Sequence, residues 1–412
     1  MNRDASPDGD QRTERGTPAV AVVGGGAVGV TAAADLAARG ADVTLYDRGE
    51  LASGSSGRAA GVLYDAYAED VDAALAARAM DRFRALDRSL PGFSFTPCPY
   101  VIAVREGDPD ADAIPTMVDR MRAHGREVSV VDPTALGERY PLRTDDLAAA
   151  AVADGGGWCD PASYVAAMGE RARRAGVRIE TGARVGFEDD GLVRGDGTPL
   201  AGFDAVVVAV GAHTAEFFDD AGVDLPVVPY RVQALTSRVA YDGPMVYDAT
   251  AGAYFRPHPT GLLAGDGTEP VPADPDGYDR AGDDWFVDSV SETLRHRVGH
   301  DPDTDRAWAG LCTATPDGDP LVGPVDGLDA GGVFVAAGWQ GHGFMRAPAI
   351  GEHLAEGVLA SLDASGTATG ARTRASHAQP APWIDAFDPD RFDGDEEFEI
   401  VEGMTVERRA GE

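Results

Sequence analysis

The residues with the clearest chemical role are Gly24, Gly26 and Gly29, a G-x-G-x-x-G pattern, followed downstream by an acid, Asp47. Each type has a physical job. Gly24 permits a tight turn, Gly26 lets the backbone approach a pyrophosphate, and Gly29 lets a helix sit close to a strand. Asp47 can accept hydrogen bonds from ribose hydroxyls, and its charge would repel a 2′-phosphate. The pattern predicts dinucleotide binding, with FAD and NAD both open. In a chain with 52 glycines, its weight depends on the elements around it. Five apolar residues from Ala19 to Val23 suit a strand buried on both faces. A helical run from Ala27 to Arg39 stops at Gly40, a natural left-handed residue past a helix end. A second strand, Val43 to Tyr46, delivers Asp47. The helix start offers unpaired N–H groups and positive dipole to phosphates.

The bulk of the chain sets limits on the rest. Its 412 residues exceed one comfortable core, so two domains are expected. No apolar run approaches the ~20 residues needed to cross a bilayer. The opening MNRDASPDGDQRTERGTP is polar and has no signal-peptide core, which predicts a disordered extension over 1–17 on a cytoplasmic protein. Cys98, Cys159 and Cys312 are odd in number and form no C-x-x-C, so free thiols are expected rather than a disulfide or zinc site. Net charge is −34, and all 35 basic residues are arginine. The acids are spread along the chain, the pattern of a surface adapted to a salty cytoplasm where ions screen self-repulsion. Such a surface argues against nucleic acid and anionic membranes as partners.

Beyond the first unit, SGSSGRAAGVLYD reads as a small-residue loop, and a helix is expected around Ala73 to Ser89. PGFSFTPCPYVIAVREGD suggests hairpin strands, and a helix runs from about Asp110 to His124. DPTALGERYP marks a return toward the first domain. Asp160 caps a helix with Pro161 first and Gly176 past its end. FDAVVVAVGAHT is a buried strand entering a glycine turn. From LPVVPYRVQALTS to about Trp308 the pattern alternates like antiparallel sheet, with YFRPHPTGLLAGDG as a hairpin. The remainder restores βα character. The reading is α/β plus α+β: a discontinuous Rossmann-type dinucleotide-binding domain (18–91, 151–222, 308–362), which the resemblance described next makes an FAD-binding domain, with an inserted antiparallel-sheet substrate domain (92–150, 223–307) and a tail over 363–412.

The chain resembles the FAD-dependent amine and amino-acid oxidoreductases of the D-amino acid oxidase type, in particular the glycine and sarcosine oxidase branches. The segments carrying the resemblance are VVGGGAVGV with Asp47, SGSSGRAAGV, GGGWCDPASYV, VVVAVGAHT, PYRVQALTS, YFRPHPTGLLAGDG, TPDGDPLVGPV and GWQGHGFMRAPAIGEHLAE, in family order over roughly 18–362, with FDPDRF similar to the family's closing segment. The resemblance favours FAD over NAD. It implies cofactor contacts at Gly24, Gly26, Ala27, Val28, Gly29, Asp47 and Arg48, then at Ser55, Ser56 and Arg58. Further contacts are implied at Val185 and Gly211, and last at Gly341, His342, Gly343, Phe344 and Met345. There is a physical reason for the last group: an extended FAD needs a second contact region, and a helix start there would place partial positive charge beside the flavin ring.

In this family a hydride equivalent passes from the carbon next to a neutral amine to flavin N5, leaving an imine for water to hydrolyse. An amino-acid carboxylate calls for a cation, and arginine's fork fits it. The candidates are Arg231, Arg256 and Arg346, with Arg58 near the ring. Tyr254 and Arg256 form the leading pair and Arg346 is the third catalytic candidate. Residues two apart share one sheet face, so Tyr254 and Arg256 point the same way. His258 follows a proline in a turn at the surface.

The departures from the family pattern are informative. Cys312 stands where glycine-oxidase-like members carry the carboxylate arginine. Met345 stands where sarcosine-oxidase-like members carry a lysine, with Arg346 one step along. Leu263 aligns with their oxygen-activating lysine, which implies a sluggish oxidase or a dehydrogenase using an acceptor other than O2. Their flavin-linking cysteine aligns near Gly310, so non-covalent FAD is expected. The expected partners are a small amino acid or amine and O2 or another electron acceptor, with a partner subunit left open. Two alternatives are an FAD-bearing subunit without its own substrate site and an NAD-linked dehydrogenase.

The charge pattern yields a prediction. Thermal unfolding followed from molar to millimolar salt should show a steadily falling midpoint. A midpoint indifferent to ionic strength would remove the high-salt reading.

Overall fold

The computed structural model describes residues 16–188, 191–299, 301–326, 328, 332–364, 385–392, 396–398 and 400. The N-terminal extension over 1–15 and most of the C-terminal tail lie outside these residues.

The first unit forms much as its sequence dictates. Strand Ala19–Val23, helix Ala27–Ala38 and strand Asp42–Tyr46 follow in order, with Gly40 at φ +97° just past the helix. Both strands are almost wholly buried. They lie in a six-stranded sheet ordered Leu321–Val325, Val333–Ala337, Ala205–Val208, Ala19–Val23, Asp42–Tyr46, Arg178–Glu180. All neighbours are parallel except the Leu321–Val325 edge. Parallel order needs crossovers, and helix Ala27–Ala38 supplies the first.

Helices Pro161–Arg174 and Gly343–Ala364 pack against Ala27–Ala38. The backbones come close because Gly351 has no side chain: a Cβ there would lie 2.7 Å from Thr31 Cβ and 2.9 Å from the Ala32 nitrogen. Thr31 and Tyr164 share a buried hydrogen bond of 2.9 Å across the other contact. Asp160 caps its helix as expected, accepting from the Ser163 N–H at 3.1 Å. Arg82, on helix Asp70–Asp87, grips Asp35 with both terminal nitrogens (2.6 and 3.1 Å) and donates to the Pro348 carbonyl at 2.7 Å. That fork locks three helices together.

The second, larger sheet has eight strands, ordered Thr304–Ala314, Val228–Ser237, Gly261–Gly265, Ala253–His258, Met245–Asp248, Tyr100–Arg105, Leu147–Ala153, Val128–Val130. It is antiparallel except where Met245–Asp248 meets Tyr100–Arg105. The YFRPHPTGLLAGDG hairpin forms with Arg256 opposite Leu263. The boundaries drawn at 150/151 and 307/308 each fall inside a strand of this sheet, Leu147–Ala153 and Thr304–Ala314. The latter pairs with Val228–Ser237 along its whole length.

One expectation is overturned outright. Residues 284–298 do not continue the sheet but form helix Asp284–Val298, ended by left-handed Gly299 at φ +81°. Phe286, Val290 and Leu294 recur every fourth residue and bury one face, a period the acidic residues between them hide. Arg297, wholly buried, ties this helix to the sheet through ion pairs of 2.8 Å to both Asp146 and Asp248. DPTALGERYP also does more than return the chain: it includes helix Pro133–Arg139, which leads into Leu147–Ala153 of the same large sheet. The closing FDPDRF segment packs back on the fold, with Phe387 buried and Arg391 bound to Asp317 at 2.8 Å.

The close helix contact can be tested with Gly351→Ala. Higher helix propensity would favour the substitution by about 1 kcal/mol, whereas overpacking costs about 1–3 kcal/mol. Denaturant unfolding at fixed salt should therefore show a net loss of stability. An unchanged or raised midpoint would show that the two helices can part freely.

Candidate functional site: a cavity shared by the two sheets

One cavity of about 1160 Å³ opens between the two sheets. Three glycine turns, far apart in sequence, meet in its wall: Gly24 with Gly26, Gly211, and Gly341 with Gly343. Gly24 adopts φ +109°, and a Cβ there would overlap the Ala209 carbonyl. A Cβ on Gly29 would overlap the Gly24 carbonyl. Gly29 does not line the cavity; it sets the approach of helix to strand. Gly341, at φ +84°, follows Gln340 at φ +48°. The Gln340 N–H bonds the Thr313 carbonyl (2.8 Å) and the Trp339 N–H bonds Thr313 Oγ1 (3.0 Å), so strand Thr304–Ala314 fixes this turn. Helix Gly343–Ala364 therefore begins at the cavity, with His342, Gly343, Phe344 and Met345 in its wall.

Asp47 is held in the same wall. Its Oδ2 accepts from the Gly25 N–H at 2.6 Å and its Oδ1 from the Gly49 N–H at 2.7 Å. The Ala183 N–H bonds the Asp47 carbonyl at 2.8 Å, which brings Val185 into the same wall. Ser56 Oγ accepts from the Ala27 N–H at 2.9 Å, and Ser55 Oγ donates to the Leu311 carbonyl at 2.7 Å. Arg58 lines the cavity and donates to the Ser53 and Gly54 carbonyls. Arg48 also lines it, paired with Asp276 at 2.7 Å. Ala27, Val28 and Gly211 complete the residues expected there.

The catalytic candidates divide. Tyr254 lines the cavity. Arg256 does not: it is 2% exposed, donates to the Ala60 and Pro257 carbonyls at 2.7 Å each, and stacks 4.7 Å from the Trp158 ring centroid. Ala60 itself lines the cavity, so its loop separates Arg256 from the interior. Burial pulls the Arg256 guanidinium down to about 10. Arg346 is likewise outside the lining, buried against Asp72 at 2.5 Å and over the Tyr67 ring. Arg231 is sealed by Glu269 and Asp283. An arginine deep in a protein needs partners for its five donors; Arg231 and Arg256 took theirs from the fold, and Arg346 took Asp72 while its buried Nε has no hydrogen-bond partner among the described residues.

Sequence reasoning missed the loop 266–283, which contributes Thr268, Tyr278 and Arg280 to the cavity. Rich in Asp, Gly and Pro, it carries no periodicity to read. Tyr230, Trp308 and Cys312 come from the facing sheet, where Tyr230 pairs with Cys312 and Ala234 with Trp308. Their common face becomes visible once that register is known. Cys98, Cys159 and Cys312 are all free thiols, and burial pushes Cys312 up to about 12, leaving it a neutral thiol.

The three turns and the anchored Asp47 suit an extended dinucleotide. Backbone N–H groups are available to a pyrophosphate, and a carboxylate sits at the end of the second strand. The family model described as FAD dependent oxidoreductase matches residues 19–357, and the chain belongs to that family. FAD is therefore its cofactor, and the NAD alternative falls away. Glycine oxidase of Pseudomonas aeruginosa is 28% identical over 361 residues, covering 82% of this chain and 93% of that one. Anaerobic glycerol-3-phosphate dehydrogenase subunit A1 of Haloferax volcanii is 30% identical over 314 residues, covering 68% of this chain and 51% of that one. The solved L-proline dehydrogenase from P. horikoshii has a TM-score of 0.76 at 26% identity, covering 91% of this chain and 97% of that one. Among the described residues, no helix is long and apolar enough to cross a membrane.

Two measurements check the site. Acid precipitation should leave a colourless pellet and a yellow supernatant, since Gly310 offers no thiol and Cys312 is protonated. A yellow pellet would mean a covalent link. Asp47→Ala should lower the flavin-to-protein absorbance ratio and weaken FAD binding on the order of 10-fold or more. Full retention would remove Asp47 from the site.

Proposed function

We propose that the chain oxidises the C–N bond of a small amino acid or secondary amine of the glycine, sarcosine, proline or D-amino acid class. The observation that carries this reading is an apolar cluster on the large sheet whose members Ala60, Ala234, Tyr254 and Trp308 line the same cavity as the start of helix Gly343–Ala364. Ala234, Leu263 and Trp308 cluster there, with Ala60 and Tyr254 packed against them. When bound, FAD supplies the two-electron acceptor for this chemistry. The remaining work belongs to the chain. An apolar wall disfavours an ammonium and so favours the neutral amine, the form able to release electrons. The sheet face holds the reacting carbon in one orientation and excludes water from it. The helix start at Gly343, which lines the cavity, would stabilise negative charge on a flavin bound against it.

Leu263 bears on the electron acceptor. It is 3% exposed, packs in this apolar cluster without itself lining the cavity, and brings no charge to it. A cation beside reduced flavin favours the one-electron transfer to O2, so its replacement by leucine suits a dehydrogenase or a slow oxidase. We place the protein in a salty cytoplasm, consistent with its dispersed acids, and keep a partner subunit as the route by which electrons could leave.

Anaerobic addition of glycine, sarcosine, proline or a D-amino acid should bleach the yellow protein, while glycerol 3-phosphate should not. In air, peroxide should form far more slowly than an artificial dye is reduced. Yellow protein that no member of the panel bleaches would favour a subunit without its own substrate site, and rapid peroxide formation would overturn the role given to Leu263.

A further inference from the structure

The loop 266–283 joins strand Gly261–Gly265 to helix Asp284–Val298 and crosses the cavity wall. Its last part is held with unusual firmness for an exposed loop. Arg231 donates through Nε to the Asp279 carbonyl (2.9 Å) and through Nη2 to the Ala281 carbonyl (2.5 Å). The same guanidinium is fixed by Glu269 and Asp283. These two carbonyls flank Arg280 in the chain. The Arg280 carbonyl itself accepts from the Ala309 N–H at 2.9 Å, and Ala281 bridges to Trp308. The Arg280 backbone is thereby pinned beside Trp308 and Gly310, both of which line the cavity.

Arg280 lines the cavity too, at its exposed rim, with its guanidinium 5.6 Å from the Tyr278 ring centroid. Among the described residues, no carboxylate pairs with it. This sets it apart from Arg48, Arg231 and Arg346, each closed by an acid, and from Arg256, closed by carbonyls. A stacked guanidinium keeps its edge donors available, and that edge matches a carboxylate in a bidentate pair.

We propose that Arg280 receives the substrate carboxylate, from the loop rather than from the sheet, and that Arg231 is the positioning residue that aims it. The inference rests on the amino-acid reading above and deepens it: the site would select amino acids over amines of the same shape. In molar salt the Debye length is about 3 Å, so distant charges contribute little and recognition needs direct contact. A pinned arginine supplies that contact.

The test uses the FAD-loaded full chain in molar salt. Arg280→Gln and Arg280→Lys are compared with the unaltered protein in anaerobic flavin reduction by two matched pairs, proline with pyrrolidine and sarcosine with dimethylamine. Acetate binding is followed separately by perturbation of the flavin absorbance, a readout independent of turnover. Arg280→Gln should weaken acetate, proline and sarcosine on the order of 10- to 100-fold and leave the two amines within about twofold. Arg280→Lys should recover part of the loss. Equal weakening of amino acids and amines, or unchanged acetate binding, would overturn the assignment. If the unaltered protein prefers amino acids and Arg280→Gln does not reduce that preference, the amino-acid reading stands and Arg280 alone is rejected. If the unaltered protein takes pyrrolidine as readily as proline, the amino-acid reading falls and Arg280 falls with it.

Discussion

The constraint on which the molecule depends is the close approach of bare backbone at the turn between Ala19–Val23 and Ala27–Ala38. Gly24 sits against the Ala209 carbonyl and Gly29 against Gly24 itself. Any side chain at either position would push the helix off the sheet and withdraw its N–H groups from the cavity. The chain has no lysine, and its net charge is −34. For a pyrophosphate, peptide dipoles fixed at this turn supply attraction beside the arginines that line the cavity, Arg48 and Arg58 among them. The second helix start, at Gly343, repeats the device in the wall of the same cavity.

Arginine in this chain is an internal fastener. Arg82 clasps Asp35 and the Pro348 carbonyl, Arg297 bridges Asp146 and Asp248, and Arg346 is buried on Asp72. Removing charges from water is costly, and such pairs persist where several hydrogen bonds compensate. The consequence is functional. A cation committed to the fold is lost to the ligand, so the many arginines of the sequence leave few facing the cavity unpaired. The loop 266–283, a surface connection between two regular elements, is where one of those few resides. Connections of this kind commonly carry specificity on a rigid scaffold.

Much of the fold was legible from residue order. The strand Ala19–Val23 and the Asp160-capped helix form where local chemistry places them, and the YFRPHPTGLLAGDG hairpin pairs as expected. Helix Asp284–Val298 was not legible as a helix, because its three buried apolar positions are separated by acids and its signal is tertiary burial rather than local propensity. The cofactor cradle was largely readable, since glycines and a strand-terminal acid have few other uses at such spacings. Tyr254 lines the cavity and its neighbour on the same face, Arg256, does not. Alternation fixes the side of the sheet to which a residue points but is silent on what covers it, and Ala60 covers Arg256.

The sequence by itself determined the local units: where strands end in glycine turns, where helices begin, and that a dinucleotide is held by backbone. These follow from steric and dipolar rules acting over a few residues. The tertiary structure alone decided which arginines are spent on carboxylates of the fold and which reach the cavity. An ion pair joins residues far apart in the chain, such as Arg346 with Asp72 or Arg82 with Asp35, and its formation depends on how the elements pack. No spacing rule can rank partners that meet only after the sheets and helices have closed around them.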